Sequence, residues 1–235
     1  MSKKGWRALL LGLVFVLASC APNLHWVKSH PTYSLGSPLG EVGVPDLGDR
    51  WILVRGSWFA DQLKLDPSSV YDTIGLNLRE DFVAALQNVL PSTTMIPAGV
   101  IDSFPEPEAV QLDSRIYFKG RLPAQGQTIL VDQFAVKRLL IIHELTLGPN
   151  LSKESLYDYE KANVEGDSRP KKPRDLKAIA TWTLWDNRTQ HPLISGISES
   201  SLPYENQKGP ELRSLIYAVT IALAQNIQKD MGVSP

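Results

Sequence analysis

The chain has 235 residues, with 24 Lys and Arg against 25 Asp and Glu, so its formal charge is −1 and no strongly basic surface is implied. Nucleic acid and anionic lipid headgroups are therefore poor candidates for the main partner, because their affinity for proteins comes largely from clustered Lys and Arg. A hydrophobic content of 43% over this length is enough for one well-packed core.

The N-terminus runs from a basic stretch with Lys3, Lys4 and Arg7 into an apolar stretch from Ala8 to Ala18, and then Ser19-Cys20. That is the layout of a secretory signal. Eleven residues fall well short of the roughly 20 that a helix needs to cross a bilayer, so residues 1–19 are expected to be removed as a signal peptide. The phrase Leu17-Ala18-Ser19-Cys20 resembles the bacterial lipobox, in which Leu17, Ala18 and Ser19 would be read by the signal peptidase and Cys20 would carry the lipid. A thiol is the side chain that can take a diacylglycerol as a thioether, and small neighbours let the backbone enter a peptidase cleft. Cys20 is also the single cysteine, and an exported thiol with no disulfide partner needs a reason. The resemblance implies a covalent lipid on Cys20 and no other cofactor. Each buried CH₂ contributes about 0.8 kcal/mol, so the two or three acyl chains of a mature lipoprotein anchor it to the membrane without spanning it. Ala21 stands where lipoproteins retained at the inner membrane often carry Asp, which favours the outer membrane in a two-membrane cell, with the domain facing the periplasm. Removal of residues 1–19 takes away three basic residues and no acidic one, for a net charge of about −4.

Residues 20–49 carry four prolines and four glycines without apolar periodicity and are read as the lipid anchor and a flexible tether. The folded domain is expected over 50–235. Arg50–Trp58, rich in aromatic and branched residues, predicts a strand. Asp66 and Pro67 then predict a helix start, and Val70, Ile74, Leu78, Phe82, Leu86 and Val89 form one apolar stripe as far as Pro91. An acidic, proline-interrupted loop through Asp102, Glu106, Glu108 and Asp113 follows. Arg115–Leu122 alternates, with Arg115, Tyr117, Lys119 and Arg121 on the wet face, and is expected to turn at 123–126 into a hairpin with 127–131. The run Leu139-Leu140-Ile141-Ile142 predicts a central strand covered on both faces. A mobile insertion is expected at about 149–176, then a second hairpin from Lys177–Trp185 and Pro192–Ser200 around the turn residues Asp186 to Thr189. A final amphipathic helix is expected from Pro210 to Met231, ended by Gly232. The sum is an α+β fold, a mostly antiparallel sheet of five to seven strands with two long amphipathic helices packed on one face.

The lipobox, the strand-then-helix opening and the phrase Trp185-Asp186-Asn187-Arg188-Thr189-Gln190-His191-Pro192-Leu193-Ile194-Ser195-Gly196 before a terminal helix resemble small periplasmic α/β lipoproteins. These include auxiliary lipoproteins of lipid-transporting ABC systems, lipoprotein activators of penicillin-binding proteins, and the curli-secretion lipoprotein. The resemblance implies a domain that binds other envelope proteins and does no chemistry.

No catalytic or metal-ligating set is assigned. Gly196-Ile197-Ser198-Glu199-Ser200 lacks the second glycine of a nucleophile elbow, and Leu147 stands where a zinc-protease helix starting at His143 would need its second histidine. His143 is expected to sit as a satisfied core residue on one face with Leu139, Ile141, Leu145 and Leu147. His25 and His30 fall in the expected tether, without acidic or cysteine partners in sequence. Trp182, sharing its face with Ala178, Ala180 and Leu184, is expected in the core. Trp185, on the other face with Thr181 and Thr183, is the better candidate for an exposed partner contact, as is the basic run Arg169, Lys171, Lys172 and Arg174. The leading expectation is a non-catalytic adaptor with an envelope protein as partner. An envelope hydrolase and a subunit of a lipoprotein homo-oligomer stay open as alternatives.

Overall fold

A computed structural model describes residues 25–30, 39–112, 117–131, 134–150, 175–204 and 210–231. Cys20 with its signal, most of the expected insertion, and Arg169, Lys171, Lys172 and Arg174 lie outside these residues.

The domain is α+β, built on a seven-stranded sheet. Its centre is β9 (Arg138–Asn150) and β10 (Asp175–Asp186), followed by β11 (His191–Pro203) and the edge strand β1 (His25–Ser29), all antiparallel. On the far side of β9 the sheet becomes parallel. Both β2 (Val42–Pro45) and β3 (Trp51–Leu53) pair with that edge of β9, and β4 (Thr93–Ile96) pairs with β2. The sheet is thus mixed and not mostly antiparallel. Val42-Gly43-Val44 and Trp51-Ile52-Leu53 are too short to announce a parallel partner by periodicity. They earn their places by filling the edge of a 13-residue strand.

The same point corrects the tether. The described residues of 20–49 include two strands, and Val42 and Val44 are among the most buried side chains. Gly43 lets Ile96 pack close, since a Cβ there would stand 2.5 Å from Ile96 Cδ1 and displace the end of that side chain. The expected strand 50–58 stops at Leu53, because Arg55 adopts a left-handed conformation and starts α1 (Gly56–Leu63). The long helix α2 (Val70–Val89) buries Ile74, Leu78, Phe82 and Leu86 as the spacing requires. Asp66 acts just ahead of it, where its carboxylate accepts the backbone N–H and hydroxyl of Ser68 and shapes the turn into the helix. The last helix, α4 (Leu212–Asp230), buries Leu215, Ile216, Val219, Leu223 and Ile227. The two long helices pack together in one apolar cluster with Leu140, Ile142, Leu145, Leu147 and Trp182, so both cover one face of the sheet.

The opposite face is covered by the short helix α3 (Gly99–Asp102) and by small hairpins. Here the expected pairing of 115–122 with 127–131 is replaced. β6 (Tyr117–Gly120) pairs with β5 (Glu108–Gln111) from the expected acidic loop, and β7 (Leu130–Val131) pairs with β8 (Phe134–Ala135). The alternation of β6 holds, with Phe118 buried and Tyr117 exposed.

Helix α2 carries a glycine in its interior at Gly75, which costs about 1 kcal/mol relative to alanine by propensity. A Cβ at that position would meet Trp51 Cζ2 at 2.8 Å, and Trp51 is itself held against Tyr71. Gly75→Ala is therefore expected to lower the unfolding free energy by about 1–2 kcal/mol net, seen as a lower urea midpoint, despite the gain in propensity. A raised midpoint would mean that Trp51 yields freely.

Candidate functional site

The long strand β9 carries one extra residue. Thr181 of β10 faces Glu144, and the next residue, Trp182, faces Ile142, so His143 is the bulged position. The bulge switches the alternation. Leu139 and Ile141 lie on the hairpin-covered face with His143, whereas Leu145 and Leu147 join Leu140 and Ile142 beneath the long helices. The expected common face for all five residues is corrected accordingly, because a strand pattern read with an uninterrupted period of two cannot show a bulge.

Two partners hold the bulge from opposite sides. Arg50 Nε donates to the Ile142 carbonyl at 2.9 Å and its Nη2 donates to the Asp46 carbonyl at 2.7 Å, which ties β9 to the segment between β2 and β3. On the other face the His143 ring lies against Phe118, with ring centres 5.3 Å apart, and over Gly120. A Cβ at Gly120 would come within 2.7 Å of the imidazole, so the glycine creates the space the ring occupies. His143 Nε2 is 2.9 Å from Thr183 Oγ1, which is 2.9 Å from Ser195 Oγ. Burial, and secondarily the Arg50 cation, push the imidazole down from 6.5 to about 3, so it is neutral.

That state has a pH signature. The unfolded chain takes up a proton on His143 below about 6.5, and the folded chain refuses it until about 3. The stabilising contribution is complete above 6.5 and is lost as pH falls through this window, by at most about 1.4 kcal/mol per pH unit. Urea melts between pH 7 and pH 4 are expected to show this slope, and His143→Gln to reduce it by about one proton. Equal slopes in the two proteins would place a charged imidazole in the fold.

Ser195 opens onto a cleft of about 230 Å³ between the β5–β6 hairpin and the β1–β11 edge. Lys28, His30, Glu108, Gln111 and Leu122 line it, and the His30 ring stacks on His191 with centres 5.7 Å apart. The rows of hydroxyls do not form an activated nucleophile. Ser195 would have to pass its proton to the Thr183 hydroxyl, which is no base, and the imidazole behind it is a weak one. What the chain does is hydrogen-bond three largely buried polar side chains to one another on a face where water has little access.

A second cleft, of about 470 Å³, lies between α2 and the start of α4, lined by Leu63, Leu65, Ile74, Leu78 and Leu212, with Arg213 bonded to Asp81 at 3.1 Å. On the hairpin-covered face, Lys177 and Glu199 form a close ion pair whose side chains are 17% and 7% exposed. Among the described residues no group of three or more His, Cys, Asp or Glu side chains is arranged to hold a metal, and no helix is long and apolar enough to cross a membrane.

Trp182 is fully buried, as its neighbours on the strand implied, and its indole N–H donates to Ser198 Oγ at 2.9 Å. Trp185 is on the opposite face, as expected, but it is 3% exposed, packed among Ile96, Ile101, Phe104, Ile129 and Ile141. The expectation of an exposed aromatic is corrected by the lobe 96–136, whose short elements gave no sequence sign that they would fold over β10. Asn187, read from sequence only as a turn residue, fastens that lobe. Its side-chain amide donates to the carbonyls of Ile129 and Val136, its oxygen accepts from Ile129 N–H, and its backbone N–H donates to Lys137.

No protein-family model matches the chain, and no curated protein matches it in sequence. Among solved structures, the PelC dodecamer from Paraburkholderia phytofirmans shares 10% identity with a TM-score of 0.37, covering 91% of this chain and 99% of that one. A single-substitution variant of the same dodecamer gives 10% identity and a TM-score of 0.36, covering 87% and 97%. A likeness at that level fixes neither partner nor assembly.

Proposed function

We propose that the chain is a lipid-anchored accessory protein of the cell envelope that acts by binding a protein partner in a transport, secretion or wall-building complex. The observation that carries this reading is the lone cysteine of Leu17-Ala18-Ser19-Cys20, placed only five residues before the edge strand β1. The anchor joins the sheet itself and not a long spacer. Binding without chemistry is supported by the use made of the polar side chains on the hairpin-covered face, where His143, Thr183 and Ser195 bond to one another and Lys177 pairs with one oxygen of Glu199. The cleft beside β1 offers charged and amide groups around Val110 and Leu122, a lining suited to an extended peptide segment laid along a sheet edge.

The test is co-purification from envelope membranes of the tagged full-length protein, with Gln111→Arg at the cleft and Cys20→Ala as comparisons. A defined envelope complex is expected with the parent protein, lost with Gln111→Arg and weakened with Cys20→Ala. Recovery of the parent protein alone would overturn the adaptor reading. The rival, an envelope hydrolase, has one observation in its favour, the Ser195 hydroxyl in the cleft wall bonded toward His143. It requires turnover of an envelope polymer that disappears in Ser195→Ala while the melting temperature holds.

A further inference from the structure

We infer that the end of the sheet capped by α1 is the surface this domain lays against the headgroups of its anchoring bilayer. The inference deepens the anchored reading and rests on lipidation of Cys20.

Strand β1 fixes the direction. His25 lies opposite Ser198 and Ser29 opposite Ile194, so the chain ahead of His25 leaves toward the Pro203 end of β11. Pro203 faces Asp175, and Asp175 faces Asn150, so this is also where β9 ends and β10 begins. The β10–β11 turn at 187–190 is at the other end. Five Cα-to-Cα steps lead from Cys20 to His25 and reach at most about 17 Å. From Ser198 to Pro203 is also five residues, about 17 Å, whereas from Ser198 back to His191 is seven residues, about 23 Å. A lipidated Cys20 can therefore just reach the level of Pro203 and falls short of the turn.

Helix α1 occupies that end. Strand β3 runs alongside Leu145 to Leu147 and delivers the chain into α1 at Arg55, past the hydrogen bond from Val54 N–H to the Leu147 carbonyl. One turn further on, Trp58 packs edge-on against Tyr204, with ring centres 5.1 Å apart, and the Tyr204 hydroxyl donates to Gln62. Tyr204 directly follows Pro203, so α1 lies across the sheet end from β3 to β11. Exposed Arg55 and Lys64 bracket the helix, both in the left-handed region that side chains with a Cβ rarely adopt, and Ser57 is exposed between them. The helix turns Phe59 and Ala60 inward and exposes Asp61 between the two cations, a polar surface with one more cation than acid that suits the headgroup level of a bilayer.

Because lipidation consumes the only native thiol, a new cysteine can carry a fluorophore at one chosen place. Full-length lipidated protein with Ser57→Cys, Ser29→Cys or Thr189→Cys, all exposed positions, would be reconstituted into phosphatidylethanolamine–phosphatidylglycerol vesicles holding headgroup-nitroxide lipid. Quenching is expected to be severalfold stronger at Ser57, on α1, than at Ser29, on the sheet edge, or at Thr189, in the turn. Equal or stronger quenching at Ser29 would put the edge of the sheet on the bilayer, and at Thr189 the turn, and either overturns the inference. Intact mass separates the two ways of failing. Lipid on Cys20 with the wrong quenching order sinks the orientation alone, whereas no lipid on Cys20 sinks the anchor and the orientation with it.

Discussion

Asn187→Ala is expected to destabilise the domain by about 3–5 kcal/mol, a large part of the roughly 5–15 kcal/mol that holds a domain folded. The substitution removes two donors and one acceptor and leaves the Ile129 N–H, the Ile129 carbonyl and the Val136 carbonyl without their partners. Ile129 and Val136 are 4% and 9% exposed, so water does not replace what is lost. Each orphaned group then costs its desolvation, about 1–3 kcal/mol, and not merely the net value of a hydrogen bond. The lobe these groups belong to also covers Trp185, so the loss should be local as well as global. Limited proteolysis is expected to cut between residues 122 and 136 in Asn187→Ala under conditions that leave the parent intact. A loss below about 1 kcal/mol would mean that the lobe stays seated by its apolar contacts alone.

Lys177→Met is expected to cost a similar amount, about 3–5 kcal/mol, by leaving the Glu199 carboxylate buried without its countercharge. One oxygen of Glu199 already lacks a hydrogen-bond partner, and its neighbours on this face include Ile179, Ile197 and Phe118. Replacing both partners together, Lys177→Met with Glu199→Leu, should recover most of the loss, because the pair itself contributes little once its desolvation is counted. A double-mutant cycle measures the coupling. Additive losses would mean that the two side chains do not act as a pair.

Much of the fold was legible because long elements repeat their signal. Val70 to Val89 shows its stripe five times over, and the Leu139–Ile142 run marks a strand with no wet face. The β10–β11 hairpin was visible from alternation on both sides of an Asp-Asn turn. What failed was short or irregular. β2 and β3 contribute four and three residues, and their parallel pairing is set by a tertiary partner, not by their own pattern. His143 was correctly read as satisfied in the core, but its face was misread past the bulge, which Arg50 and Gly120 support from positions 93 and 23 residues away in sequence. Trp185 lies on the expected face, but its cover comes from 96–136, where nothing in the sequence advertises a lid. Asn187 could have drawn notice only as a turn residue, since the carbonyls it serves are more than 50 residues distant.

The position of β1 changes the meaning of the N-terminus. A flexible tether through residue 49 would let an anchored domain sample a compartment, whereas with the proposed lipid on Cys20 a strand beginning at His25 would hold it near the membrane surface. Everything functional in this account follows from a lipid on Cys20. Intact mass of full-length protein purified from membranes tests it most directly. The expected species lacks residues 1–19 and carries diacylglycerol, with or without a third acyl chain, on Cys20, and Cys20→Ala is expected to lose it. An unmodified Cys20, or a mature N-terminus at any other residue, would contradict the anchored reading at its root.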